Sequence, residues 1–300
     1  MELVEQLQHL SNRSSHSTSG TEEKLQTHHL QTECPECSGT GWIWSRNKDG
    51  IPYCEECPCG IRKKMILQNQ LQFAEMPEMY KGCTFANLRS NVYQLPESKE
   101  IFIQAARAVK YWIENIVQMQ KQGIGLYVCS SVKGSGKTMF VCSLANELMQ
   151  KHQKAVKFTT SLKIIEEIKS TWNDRNRNNE NKLINDLTYA DILIIDDFGA
   201  ESGKDWINEK FYGIINGRYT DKKITIFTSN YSVSQLKYDD RITNRILERS
   251  LEIPFPEESV REHMANAMKQ EMIDIIQGKK RGDEHKQSTE TMEINDHSRN

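Results

Sequence analysis

The chain has 300 residues, 37% of them hydrophobic, and 39 Lys plus Arg against 41 Asp plus Glu leave a net charge of −2. That length supports one or two domains, and that balance excludes a molecule drawn as a whole to nucleic acid or anionic lipid, so any such contact is local. No apolar run reaches the ~18 residues of a membrane span, and the opening MELVEQLQHL lacks the basic-then-apolar form of a secretory signal, so a cytoplasmic protein with no membrane contact is expected.

Residues 1–33 are rich in Ser, Thr, Gln, His and Glu and read as a flexible N-terminal segment, with room for a short amphipathic helix over Met1 to Leu10 before the linker SNRSSHSTSG. Residues 34–75 read as a metal-binding module and a linker helix. Eight cysteines in a cytoplasmic chain argue against a disulfide frame, and five of them are Cys34, Cys37, Cys54, Cys57 and Cys59. Two close pairs joined by a loop can close a tetrahedral thiolate shell around Zn²⁺, which takes four of these five. Cys34 and Cys37 are the firmest, and Cys54 with Cys57 suits simple C-x2-C spacing. Cys83, Cys129 and Cys142 are scattered and read as buried thiols. After the cluster, Leu67, Leu71 and Ala74 share a helical face ahead of Pro77.

Residues 76–277 carry the main domain, and residues 278–300 a charged tail expected to be disordered. A helix is predicted over Lys99 to Gln122 from the stripe Ile101, Ile103, Ala106, Val109, Trp112, Ile113 and Ile116. GLYVCS, AVKFTT, DILII, ITIFTS and LEIPF then alternate with helical patterns. Apolar runs with little internal alternation signal a parallel sheet buried on both faces, hence an α/β fold. The Asn-rich run Asn173 to Lys182 reads as a surface loop.

Directly after GLYVC stand Ser130, Ser131, Val132, Lys133, Gly134, Ser135, Gly136, Lys137 and Thr138, followed at once by a helix. Glycines let successive backbone N–H groups turn toward a polyphosphate, a Lys reaches its β/γ oxygens, and Ser or Thr holds Mg²⁺. Ser131 occupies the place of the first Gly of the usual P-loop pattern, a departure that bears on hydrolysis more than on binding. The strand Ile192 to Ile195 ends in Asp196 and Asp197, one carboxylate for the Mg²⁺ shell and a second for the attacking water. The strand ITIFTS runs out through Thr228, Ser229 and then Asn230, a polar amide beside the second carboxylate if strand four neighbours strands one and three. Arg241, Arg245 and Arg249 follow at helical spacing and share one face, so one of them could serve a neighbour's γ-phosphate in an oligomer. Together these features read as a nucleotide hydrolase.

The motifs SSVKGSGKT, DILIIDDFGAE, FYGIINGRYTDKKITIFTSN and DDRITNRI, preceded by MPEMYKGCTFANL, resemble the AAA+ ATPases of the bacterial and phage DnaC/DnaI helicase-loader group and the related IstB transposition ATPases. The resemblance covers roughly Met76 to Arg261. It implies a P-loop AAA+ core, a parallel five-stranded sheet flanked by helices, with a small N-terminal zinc module. It implies ATP and Mg²⁺ held by residues Ser131 to Met139, with Lys137 and Thr138 as the phosphate and metal residues. Asp196 takes the Walker B position, Asp197 that of the water-activating acid, Asn230 sensor I and Arg245 the trans-acting arginine finger, with Arg241 a substitute; Arg261, in a late S-x-R element, would sense nucleotide. In such loaders a C-x-C followed by basic residues closes the zinc knuckle, which favours Cys57 with Cys59. The implied partners are a hexameric DnaB-type replicative helicase, single-stranded DNA, and further copies of the chain joined through the ATP site. The expected activity is single-stranded-DNA-stimulated ATP hydrolysis that times helicase loading; an IstB-like helper acting with a transposase is the alternative. The zinc module would grip the helicase, or would act as a nucleic-acid ribbon through Trp42, Trp44, Arg46, Lys48, Arg62, Lys63 and Lys64, unless the aromatic residues form its core.

Overall fold

Short apolar runs separated by amphipathic helices bury themselves well as a sheet covered on both faces. The computed structural model describes residues 34–172, 178–201 and 205–276, so the expected segment 1–33 and tail 278–300 lie outside the described residues. The chain divides into two units, Met1–Arg62 and Lys63–Asn300.

In the first unit β1 (Trp42–Arg46) and β2 (Pro52–Glu56) pair antiparallel, Trp42 opposite Glu56 and Arg46 opposite Pro52. Its buried side chains are Cys37, Cys57 and Ile61, with Cys34 and Ile43 against them. The tryptophans are not that core. Trp44 is 76% exposed, and Trp42 is 37% exposed with the Arg62 guanidinium 3.9 Å from its ring centroid. Two strands around so few apolar groups are not stable in water without a further staple.

The second unit takes in most of α1 (Ile61–Ala74), whose Leu67, Leu71 and Ala74 join a large core cluster as the stripe predicts. The single helix expected over Lys99 to Gln122 is two, α2 (Pro96–Glu114) and α3 (Ile116–Gln122). Asn115 stands between them at φ −105° and ψ 21°; its side-chain amide donates to the Tyr111 carbonyl at 2.9 Å while its own carbonyl accepts from Gln118 and Met119. An Asn side chain that competes for backbone partners in this way breaks a helix despite a continuous apolar stripe.

Next come β3 (Gly125–Cys129), α4 (Lys137–Gln150), β4 (Val156–Thr160), α5 (Ser161–Thr171), α6 (Asn178–Tyr189), β5 (Ile192–Asp196), α7 (Asp205–Thr220), β6 (Ile224–Ser229), α8 (Asp240–Arg249), β7 (Ser250–Pro254) and α9 (Val260–Ile276). Of the expected surface loop, residues 173–177 lie outside the described residues, and from Asn178 to Lys182 the chain is already helical. That polar run is the start of α6, which reaches the core only with Leu183, Ile184 and Leu187.

The five strands expected from the sequence form one parallel sheet in the order β4-β5-β6-β3-β7. Leu126 and Val128 join the cluster built with α2 and α4, whereas Tyr127 between them joins the cluster built with α5, α7 and α8. Both faces are dry along β3 to β6, which is why those strands show little polar alternation, whereas the edge strand β7 leaves Leu251, Glu252 and Pro254 exposed. A Cβ on Gly125 would lie 1.8 Å from the Thr225 carbonyl oxygen, so the start of β3 admits only glycine. Arg218 is 1% exposed and has no carboxylate among its hydrogen-bond partners: its guanidinium donates to the carbonyls of Leu187, Thr188, Ala190 and Ile224 and to Thr225 Oγ1. The C-terminal end of α6, otherwise short of donors, is thereby capped from α7. Cys142 is buried as expected, but Cys83 and Cys129 are only half-buried; Cys129 closes β3 at the sheet's end, its thiol 3.5 Å from Glu252. Among the described residues no helix is long and apolar enough to cross a membrane.

Candidate functional site

The loop after β3 begins where the sheet's order places β3 between β6 and β7, and an open parallel sheet leaves a crevice at the carboxyl ends of such strands. Gly134 and Gly136 have φ of +79° and +103°, in the left-handed region that glycine adopts without strain. They bend residues 134–138 into the start of α4, whose first residue is Lys137. The Lys137 ammonium is turned inward, donating to the carbonyls of Ser130 and Val132, both at 3.1 Å, and to Ser135 Oγ at 3.3 Å. Burial pulls it below the usual lysine range, against the opposing pull of Asp197, Glu257 and Asp196.

The last residue of β5 meets this loop. Thr138 Oγ1 lies 3.1 Å from both carboxylate oxygens of Asp196, which is itself buried. Burial raises the Asp196 carboxyl to about 6, reinforced by the neighbouring Asp197 charge and opposed by hydrogen bonds from Thr228 and Thr138. Strand β6 runs between β5 and β3 and supplies Thr228, whose hydroxyl donates to Asp196 Oδ1 at 2.5 Å and accepts from the Asp197 N–H at 3.0 Å. Asp197 is exposed, with a φ of +52° that turns the chain out of the strand. Its carbonyl accepts from Ser161 Oγ at 2.9 Å. Asn230, half-buried, directly follows β6.

Lys137, Thr138 and Asp196 thus converge, with Asp197 close enough to bear on the Lys137 charge. Arg261 is also brought to the loop: its N–H donates to the Gly134 carbonyl at 3.2 Å. Lys133 is exposed, and the carbonyl of Met139, in the first turn of α4, accepts from Ser143 Oγ at 2.9 Å. Sequence reasoning missed Thr228, although the run ITIFTS pointed next to it, and Tyr93, whose buried hydroxyl donates to the Ser135 carbonyl at 2.7 Å.

Arg245 is not brought to this loop. Its guanidinium donates to Asn216 Oδ1 at 2.8 Å, to the Arg241 carbonyl at 2.7 Å and to Tyr212 OH at 3.3 Å, and lies near the rings of Tyr212 and Tyr219. All three hydrogen-bond partners are neutral. Arg241 differs, being paired with Asp239 at the N-cap of α8. Arg249 donates to the Gln122 carbonyl, which precedes β3, whereas the phosphate-type loop follows it. The arginine face therefore runs toward the far end of the sheet from its own P-loop.

In the first unit the four sulfurs of Cys34, Cys37, Cys57 and Cys59 all lie within 4.8 Å of one another, with Cys34–Cys57 and Cys37–Cys59 each at 3.7 Å. Bonds of about 2.3 Å to a tetrahedral Zn²⁺ set sulfur–sulfur edges of roughly 3.8 Å, so this donor set fits that ion. Cys54 stands apart from the four, exposed on β2 opposite Trp44.

The model of the bacterial DnaA ATPase domain matches residues 104–254, half of the chain. The chain is 28% identical over 189 residues to the replicative helicase loader DnaI of Bacillus subtilis, covering 61% of this chain and 56% of that protein. It is 27% identical over 204 residues to the replicative helicase loader DnaC of Buchnera aphidicola, covering 66% and 77%. It thus spans little more than half the length of the Bacillus relative. Among solved structures, a primosome component from Streptococcus pyogenes superposes with a TM-score of 0.51 at 21% identity, over 64% of this chain and 96% of that one. A DnaI structure gives 0.50 at 22% identity, over 60% and 94%. These likenesses bear on the fold, which is the one the motifs led us to expect. Since the matched stretch runs from α2 through β7 and holds the strands that present Lys137 and Asp196, the chain belongs to the bacterial DnaA ATPase-domain family and has the AAA+ fold.

Proposed function

We propose that this chain is an ATP-dependent helicase loader of DNA replication, in which an ATPase core over residues 76–277 follows a zinc-binding module and linker helix over residues 34–75. The observation that carries the nucleotide reading is the approach of Thr138 Oγ1 to both Asp196 oxygens at 3.1 Å, which joins the P-loop to the strand-end acid. Of the residues 131–139 expected to hold ATP, the N–H groups of Ser131 and Val132 are bound to Glu257 and to Ser130 Oγ, so the backbone N–H groups of residues 133–139 would face the phosphates, and Lys137 would take the β/γ oxygens. Thr138 and Asp196 would hold Mg²⁺, which when bound neutralises charge on the phosphates. Asp197 would orient and deprotonate water, and Asn230 would steady it. Arg261 would register the nucleotide from the far side of the loop.

Arg245 is the finger of choice in this reading, because its charge is held by neutral groups and stays available to an anion, whereas Arg241 is already neutralised by Asp239. Facing away from its own loop, Arg245 would serve the γ-phosphate of a second copy, so ATP joins subunits and its hydrolysis releases them. Single-stranded DNA along the assembled cores would stimulate that step. The work would take place in the cytoplasm.

The loader reading draws its support from relatives that carry that name and from the cysteine module ahead of the core. Zn²⁺ held by Cys34, Cys37, Cys57 and Cys59 would supply the folding energy that the small first unit lacks. Expected on this basis is loss of one equivalent of zinc, with loss of β1–β2 order, in Cys57→Ser, and full zinc content in Cys54→Ser, as measured by metal analysis and NMR of the full chain. Zinc lost equally from both variants would mean a different ligand set. The loading role is tested by pull-down with purified partners: the protein should retain a hexameric replicative helicase in the presence of ATP and fail to retain a transposase. Retention of the transposase alone would replace the loader by a transposition helper.

A further inference from the structure

Ser131, where P-loops of this pattern carry glycine, is held by a partner from the other end of the domain. Its N–H donates to Glu257 Oε1 at 2.9 Å and its hydroxyl donates to Glu257 Oε2. This contact is one tooth of a longer zipper. The Phe255 N–H donates to the Cys129 carbonyl at 2.8 Å, Ser130 Oγ donates to the Pro256 carbonyl at 2.9 Å, and the Arg261 N–H donates to the Gly134 carbonyl at 3.2 Å. The parallel β3–β7 ladder, which pairs Cys129 with Pro254, is therefore continued past the end of the sheet by two serine hydroxyls. Glycine has no hydroxyl to continue it.

The same turn is anchored on its other side. Glu258, buried, accepts from the N–H groups of Gln94 at 2.6 Å and Leu95 at 3.1 Å and pairs with His263 at 2.9 Å. With its neighbour so fixed, Glu257 meets Ser131 from a rigid support, and α9 springs from this turn three residues later.

We propose that Glu257 is a positioning residue for the nucleotide grip: paired with Ser131 it holds the first residues of the P-loop in their bound shape before nucleotide arrives and ties that shape to the root of α9. This deepens the nucleotide-binding reading given above and rests on it. A loop already ordered loses less freedom on binding, so removing the latch weakens ATP without touching a phosphate contact. Both side chains are exposed, so their loss costs little global stability.

The test is a double-mutant cycle on the full chain with Glu257→Ala and Ser131→Gly, alongside Glu257→Gln. Each single change should raise the Kd for ATP·Mg²⁺ about three- to tenfold, the loss of one or two charge-assisted hydrogen bonds. The double variant should be no weaker than the worse single one, because the two act as a pair. Glu257→Gln, which can still accept from the N–H, should recover most of the affinity. Hydrogen exchange of amides 131–136 in nucleotide-free protein should speed up in Glu257→Ala while the melting temperature stays within about 2 °C of the parent. Unchanged exchange overturns the latch, whatever nucleotide does. Faster exchange with unchanged ATP affinity, or single effects that simply multiply, overturns its coupling to the nucleotide. Failure of the unaltered protein to bind ATP would instead fall on the nucleotide reading and leave the exchange result to judge the latch.

Discussion

Lys137→Ala is expected to remove ATP binding, with a loss of affinity of about 10³-fold. The estimate follows from Coulomb's law: one unit charge 4 Å from another is worth about 4 kcal/mol at an effective dielectric of 20, and the phosphate tail carries several negative charges. Lys137 is suited to that role because its ammonium is already desolvated inside the loop, so it has little hydration left to shed. Its present partners, the carbonyls of Ser130 and Val132 and the hydroxyl of Ser135, are weak neutral acceptors that a polyphosphate can outbid. Isothermal titration with ATP·Mg²⁺ checks the first claim. The second check is thermal: ligand that binds only the folded state raises the melting temperature, and that rise should vanish in the variant. Micromolar affinity surviving in Lys137→Ala would show that the loop after β3 does not grip the nucleotide.

Arg245→Ala should leave ATP affinity within about threefold of the parent and cut phosphate release by about 10³-fold or more, the range an arginine finger supplies. The split follows from placement. Arg245 is bound to Asn216, Tyr212 and the Arg241 carbonyl on the α7–α8 surface and has no partner in the P-loop of its own chain, so binding does not need it. Mixing gives the sharper version of the test. On the proposed reading a subunit carrying Lys137→Ala would not hold ATP but would still present Arg245, and one carrying Arg245→Ala would hold ATP but lack a finger. Each should be inactive alone, and the mixture should regain turnover where the first serves the second. Normal turnover by Arg245→Ala alone, or no recovery on mixing, would remove the trans-acting assignment. Loss of the tyrosine stacking is a structural side effect, so the melting temperature of the variant should be measured beside its turnover.

The parts of this molecule that the sequence discloses are those where one local rule decides. The strands of a parallel sheet dry on both faces have to be apolar or β-branched runs, so β3 to β6 were visible as such, and a phosphate loop needs glycines and Lys137 at fixed spacing. What stayed hidden depends on partners far away in the chain. Five cysteines left two ways of closing a metal shell, and only the fold of β1 and β2 moves Cys54 out and gathers Cys59 in. Glu257 lies 126 residues from Ser131, with no local signal to connect them. Asn115 breaks a helix whose apolar stripe runs on through it, because stripes report burial and not backbone competition. The Asn-rich start of α6 misled in the opposite sense, since polar composition marks exposure and an exposed helix start is exposed too.

The Thr228 hydroxyl has a bearing on how the protein assembles. Successive residues of β6 point to opposite faces, so the one-position slip that sets Phe227 in the place of Thr228 would bring the wrong side of the ribbon against Asp196. The acid would then sit in an oily layer deprived of its shortest donor, a fault costing on the order of 1–3 kcal/mol. Misaligned molecules are thus penalised at the spot proposed for the chemistry, and threading errors in the middle of the sheet are discouraged by the same atom that would ready the carboxylate for a cation.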